Sequence, residues 1–512
     1  MSVVAPAGYG KTTLLSQWAE RNGQAFAWVH NPECRAAMPV LAGHVPDGSQ
    51  LVLAGRDAPP LPIARLRAEG RVIEIGPGDL ALTLAEAASL LREAGITLGQ
   101  DDMAEVHRRT EGRPAGLCLA ALSLREGGSV RNPVVSFTGE HQLVSRYMES
   151  EFLARLSSRQ RVFLTRTAVL EQLCGPLCEE VLGQPGAAAI LADLARSNVP
   201  LVPLAALGEW YRYHQLFRDM LLAELRRREP ELIPVLRRRA AGWCARNGLP
   251  EEALEYSMAA GDVEAVARLV GTLALPAYRP GRVRTLQRWF QWLEDRGRIE
   301  GHPMVAVLAS MLSAMTGRPG EAERWADAVD RWQDQNAVRP EDAPVRAWAA
   351  LARATLCRHG VGQMRADADE AARMLAAVGY VTPAPALFQG VARVLSGDLD
   401  DGDASLERAL GVGEADGAPE DFAVALAERS LVAMARGDWS QAEIWAGQAG
   451  GVLRRARFED SCTMPLVCAV QARAAIHRGD VPGARQQLVS AQRQRLLLTY
   501  ALPTWPGRPG SS

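Results

Sequence analysis

The 512-residue chain is poor in aromatic residues (6%), carries a formal net charge of only −2, and uses lysine once. Each shortage excludes something. A near-zero charge excludes a global basic field able to hold nucleic acid or an anionic membrane. The longest apolar run, near Met304 to Met315, falls well short of the ~20 residues that span a bilayer. The first residues lack a basic start followed by an apolar stretch, so no signal peptide is read. Cysteine is sparse, at eight residues scattered mostly through apolar helical runs. Cys174 and Cys178 form C-x3-C with no second pair at zinc spacing, so buried thiols in a reducing cytoplasm are expected rather than a metal site.

What is present favours helices. Ala, Leu and Arg dominate, 48% of residues are apolar and 23% charged, as in soluble globular proteins. The length calls for roughly two to four domains. All other basic residues are arginine, and the one lysine is Lys11. It sits in SVVAPAGYGKTTLLSQW, where a β-branched run, Val3-Val4, enters a Gly-rich loop and an apolar helix follows. Gly8 and Gly10 allow φ > 0 and close approach to a phosphate. Loop N–H groups around Tyr9 and the helix N-terminus face the anion. Lys11 would reach the β- and γ-phosphates, the Thr12 hydroxyl would ligate Mg²⁺, and Thr13 would lie beside the α-phosphate. Ala5 stands where the first glycine of the usual pattern would be.

APAGYGKTTLLSQW, with Ala at that first position, resembles the phosphate loop of MalT-like regulators (LuxR-family, STAND-class). Further segments resemble the family in order. LVLAGRDAPPLPIARLR resembles its strand and loop after Walker B, which implies that Arg56 is a sensor arginine. TEGRPAGL resembles T-E-G-W-P-A-G-L, which implies that Pro114 packs near the adenine, with Arg113 in place of the usual tryptophan. WYRYHQLFRDMLLAEL resembles the winged-helix signature, which implies that His214 touches the β-phosphate and locks the resting state.

Two family parts are not read. No apolar strand ends in the acidic pair that would hold Mg²⁺, and FAWV runs straight into HNPECR as though a block were missing. A parallel sheet without that strand is expected to expose apolar edges. No helix-turn-helix pair with a basic recognition face is found, so direct DNA contact is not expected from this chain. The triplets Arg226–Arg228 and Arg237–Arg239 read as solvated helix faces near Glu224, Glu229 and Glu231.

From about residue 232 the pattern is helical, with turn glycines at Gly317, Gly360, Gly397, Gly437 and Gly479, and Gly248 opening the series. An alanine follows five residues later at Ala253, Ala322, Ala442 and Ala484. Such repetition, near 40 residues, is that of a TPR-like solenoid.

The expected fold is mostly α: a truncated α/β P-loop NTPase domain (1–125), a helical/winged-helix domain (126–231), a TPR-like superhelix (232–502) and a disordered tail (503–512). The resemblance implies a signal-responsive transcriptional regulator. ATP or ADP would act as a switch, an inducer or protein would bind the solenoid, and the chain would self-associate. ATP binding is expected ahead of hydrolysis. The alternatives are a protein-binding scaffold with a vestigial P-loop, an active NTP-hydrolysing enzyme, and a remnant of a larger regulator.

Overall fold

The computed structural model describes the chain except residues 6–7, 23–36, 47–48, 56–58, 60, 127–140, 155, 197–198, 205–208, 279–281, 317, 338, 417–418, 457, 459–462 and 494–512, and the side chains of 22, 126, 278, 414–416 and 493. It is mostly helical, with a small parallel sheet, and divides into two compact units, Met1–Gly261 and Asp262–Ser512.

The first unit opens with β1 (Ser2–Val4) and α1 (Lys11–Asn22), followed by α2 (Met38–Gly43), β2 (Leu53–Gly55), α3 (Ile63–Ala68), β3 (Glu74–Ile75) and α4 (Pro77–Leu80). The strands form a parallel sheet in the order β2–β1–β3, with Val3 opposite both Ala54 and Ile75. Val3 is fully buried, as the central position of its β-branched run requires. The LVLA strand thus pairs directly with the strand that feeds the phosphate loop, with no gap between them. At the β2 edge Ala54 is exposed. The FAWV segment lies outside the described residues.

Three helices follow: α5 (Leu84–Glu93), α6 (Gln100–Thr110) and α7 (Pro114–Glu126), packed on one another. Thr83 caps α5 in a reciprocal capping box with Glu86. The winged part comprises α8 (Gln142–Met148), a π-turn at Glu149–Leu153, α9 (Ser158–Thr167), α10 (Gly175–Leu182), α11 (Ala187–Arg196), β4 (Leu201–Pro203), β5 (Tyr211–Tyr213) and α12 (Gln215–Arg228). β4 and β5 pair antiparallel, and Leu173 bridges to Tyr211. The strand period sorts the YRYHQLF run: Tyr213 points into the core beside Phe217, ring centroids 6.0 Å apart, while Arg212 points to the other face. The Tyr213 hydroxyl is not stranded there, because the Thr167 hydroxyl lies 2.7 Å away. α13 (Leu232–Arg246) and α14 (Pro250–Ala260) complete the unit.

The second unit is built of helix pairs: α15 (Val263–Tyr278) with α16 (Val283–Glu294), α17 (Pro303–Met315) with α18 (Pro319–Gln335), α19 (Ala343–Leu356) with α20 (Val361–Ala377), α21 (Ala384–Leu395) with α22 (Leu399–Asp416), α23 (Pro419–Arg436) with α24 (Trp439–Ala456), and α25 (Met464–His477) with α26 (Val481–Arg493). The first helices of successive pairs also pack side by side from α17 to α25. The turn glycines Gly360, Gly397, Gly437 and Gly479 have φ between 81° and 90°, and Gly317 lies outside the described residues. Ala322, Ala442 and Ala484 are buried. Their small side chains bring the paired helices close enough for Ser310 Oγ to donate to the Ala322 carbonyl at 2.8 Å and Ser430 Oγ to that of Ala442 at 2.6 Å.

Among the described residues no helix is long and apolar enough to cross a membrane. Cys174, Cys178, Cys244 and Cys468 are buried free thiols, Cys357 is half-buried and Cys118 exposed. Cys34 and Cys462 lie outside the described residues.

Candidate phosphate-loop site

The loop after β1 has the backbone its glycines permit, with φ of 83° at Gly8 and 71° at Gly10. Lys11, the first residue of α1, folds its ammonium group back into the loop and donates to the Ala5 carbonyl at 2.6 Å. Thr12 and Thr13 are exposed in the first turn of α1. Ala5 N–H donates to the Gly55 carbonyl at 3.3 Å, which brings the end of β2 beside the loop. Arg56, the next residue, lies outside the described residues. No cluster of three His, Cys, Asp or Glu that would hold a metal ion occurs among the described residues.

The TEGRPAGL segment packs against this loop. Ala115 N–H donates to the Gly8 carbonyl at 3.0 Å. A side chain at position 8 would stand 2.9 Å from both the Ala115 methyl and the Tyr147 hydroxyl, and one at position 10 would meet Pro114 at 3.7 Å. Pro114 therefore touches the loop, as the first residue of α7, where its fixed φ suits a helix start. The turn that presents it is tight: Glu111 has φ 50° and Gly112 φ 68°. A Cβ at position 112 would lie 2.5 Å from the Leu82 carbonyl oxygen. Gly112→Ala is therefore expected to destabilise the first unit by roughly 2–4 kcal/mol, combining left-handed strain with a backbone clash. Urea unfolding of the variant beside wild type measures this, and equal midpoints would contradict the turn described.

Arg113 links loop and wing. Its guanidinium lies over the Tyr9 ring, 4.9 Å from the centroid, and Tyr9 is itself buried. Arg113 is 6% exposed, and its Nε has no hydrogen-bond partner among the described residues. Its charge also acts on His214, the N-cap residue of α12, 1% exposed. His214 Nε2 donates to the Thr110 carbonyl at 3.2 Å, a tautomer assigned from that partner. Its Nδ1 is buried without a hydrogen-bond partner among the described residues. Burial, then the Arg113 charge, pushes the His214 imidazole down to about 4, against the opposing pull of Glu111 4.0 Å away, so the ring is neutral. Burial works against the Glu111 charge, but the Arg212 hydrogen bond at 2.6 Å and the neighbouring cations outweigh it and hold the carboxyl below its ordinary value.

Three of the sequence segments thus converge: the loop (Gly8, Tyr9, Gly10, Lys11), the turn bearing Arg113 and Pro114, and the wing residue His214. Two further contacts are not announced by the quoted segments. Tyr147 reaches Gly8 from α8, and the Glu111–Arg212 pair ties the turn to β5. Only the three-dimensional contacts reveal them. Residues of both arginine triplets make contacts within the fold. Arg227 and Arg228 pair with Glu224, Arg237 donates to the Ala259 carbonyl and Arg239 to that of Val181.

The winged part of the chain is similar to that of MalT proteins. Residues 149–233 match the family model of the MalT winged helix domain. The chain is 28% identical over 341 residues to the serine/threonine-protein kinase PknK of Mycobacterium tuberculosis (strain ATCC 25618 / H37Rv), covering 52% of this chain and 31% of that protein. It is 31% identical over 241 residues to the HTH-type transcriptional regulator MalT of Klebsiella pneumoniae subsp. pneumoniae, covering 46% and 26%. It is 26% identical over 390 residues to MalT of Yersinia enterocolitica, covering 75% and 42%. The chain thus spans less than half the length of these curated relatives. A crystal structure of a signal transduction ATPase with numerous domains and a tetratricopeptide repeat sensor, from Pyrococcus horikoshii, aligns over 97% of this chain and 81% of that one, with TM-score 0.45 and 13% identity.

Proposed function

We propose that this chain is the nucleotide-gated sensor body of a signal-responsive transcriptional regulator. ATP or ADP binds at the Lys11 loop as a conformational switch. The solenoid takes an inducer or protein partner and contributes to self-association. The observation that carries this reading is the convergence of a Gly8–Gly10 phosphate loop, the buried Arg113 and the buried His214 on one short turn. A bound nucleotide supplies phosphate charge that differs between its di- and triphosphate forms. In this reading the loop N–H groups and Lys11 hold the phosphates, and Pro114, which touches the loop, packs near the base. In the same reading the Thr12 hydroxyl is the ligand to Mg²⁺. Binding ahead of hydrolysis is the reading, because a switch needs only a difference in affinity between states. The region recurs in a protein named as a kinase and in proteins named as regulators, which suits a control module working in the cytoplasm.

Titration calorimetry of the full chain with ADP and ATP, with and without Mg²⁺, tests this. Saturable binding is expected; a folded chain that binds neither would overturn it and leave the scaffold reading.

Arg113 gives a sharper expectation. A buried guanidinium with an unpartnered Nε is costly when empty and favourable beside an anion. Arg113→Met is expected to weaken ADP binding on the order of 10-fold while leaving the melting temperature of the nucleotide-free chain unchanged or higher. Equal ADP affinity in variant and wild type would remove Arg113 from the site.

A further inference from the structure

The second unit contains a cavity of about 610 Å³, within the roughly 300–1,000 Å³ of ligand sites. Its wall is aromatic and thioether: Phe290, Met304, Met311, Met315, Trp348 and Phe388. The three methionines lie on α17 at spacings of seven and four, which puts them on one helix face. Methionine side chains adapt to irregular apolar shapes. Tyr380 (51% exposed) and Val381 (70% exposed) also border the cavity, and Tyr380 meets the buried Trp348 edge to face at 5.8 Å.

Most of the polar side chains of the lining other than Tyr380 and Thr382 already have partners. Thr272 Oγ1 donates to the Leu269 carbonyl and Thr355 Oγ1 to that of Leu351, each at 2.9 Å. Glu420, Asp421 and Thr463 have partners within the protein. A polyhydroxylated ligand entering here would lose hydrogen bonds to water and find few in return. An apolar ligand would lose none, and would cover Tyr380 and Val381.

We infer that this cavity binds one uncharged, mainly aromatic or hydrocarbon small molecule per chain. This deepens the sensor half of the proposed function, on which it rests, by giving the chemical class of the inducer.

The test uses the full chain and the neutral apolar dye Nile red. Two cavity-filling variants serve. Gly271 lies on α15, and a Cβ there would meet only Met304 Cγ at 3.6 Å, an ordinary contact, so Gly271→Leu fits the helix and fills the space. Met311→Trp fills it from the opposite helix. The expected result is saturable dye binding at one per chain, weakened at least ~10-fold in both variants, with circular dichroism and melting temperature preserved. Equal dye affinity in both folded variants overturns the cavity assignment, as does displacement of the dye by a hydrophilic oligosaccharide. Loss in the variants, with no effect of dye on ADP affinity, supports the cavity and overturns its coupling to the nucleotide. Intact ADP binding with unchanged dye affinity overturns the cavity alone.

Discussion

Lys11→Ala is expected to weaken ADP and ATP binding by on the order of 10–100-fold, the ~1.5–3 kcal/mol that a hydrogen bond to a charged group contributes. Every other cation in the chain is an arginine. A planar guanidinium does not replace a compact ammonium that must enter a loop of backbone N–H groups. In the structure that ammonium is already inside the loop, on the Ala5 carbonyl. Binding moves it by a short swing rather than a long reorganisation, so little ordering cost offsets the new interaction. Calorimetry on the variant, with circular dichroism to show that it is folded, gives the result. Unchanged affinity would mean that nucleotide, if bound, does not use this loop.

The second large effect lies in the solenoid. Glu428, on α23, is 4% exposed and its Oε1 has no hydrogen-bond partner among the described residues. Burial alone pushes its carboxyl up to about 8 from an ordinary 4.5. The folded-state value is raised, so the stability linked to this group is fully present below about pH 4.5. It is lost as pH rises towards and through about 8, at roughly 1.4 kcal/mol per pH unit between the two values. Glu428→Gln keeps the shape of the protonated acid and cannot ionise. The variant is therefore expected to match wild type near pH 5 and to exceed it by several kcal/mol near pH 8. Urea unfolding of both proteins at pH 5, 6.5 and 8 measures the difference. Parallel pH profiles would show that Glu428 is charged and solvated in the fold.

Much of this architecture is legible in the sequence because its signals are local. The Gly-rich loop is read from Gly8, Gly10 and Lys11, since the φ > 0 residues and the helix start lie within a few positions of one another. The solenoid is read from glycine turns and following alanines, and in the structure Ala322, Ala442 and Ala484 are buried. The YRYHQLF run also reads locally, by strand alternation followed by a helix cap.

What is not legible depends on long-range packing. Tyr147 stands over Gly8 with more than a hundred residues between them, and nothing in SRYMES announces it. Arg113 looks from the sequence like a departure that disturbs local packing. The fold lays it over the Tyr9 ring and lets its charge act on His214, which no spacing rule contains. The neutral state of His214 follows from burial and from Arg113, both properties of the assembled turn. The apolar cavity gathers side chains from helices spread between Gly271 and Thr463, and periodicity alone assigns those residues simply to a core.

The central claim is that the loop, the 110–115 turn and the His214 segment form one nucleotide site. Hydrogen exchange of the full chain with and without saturating ADP tests it most directly, because the three segments are far apart in sequence. The account predicts slowed exchange at residues 8–16, 110–117 and 211–218 together, and no such change in Lys11→Ala. Binding of ADP that leaves the turn and the His214 segment unprotected, or that protects only residues elsewhere, would contradict it.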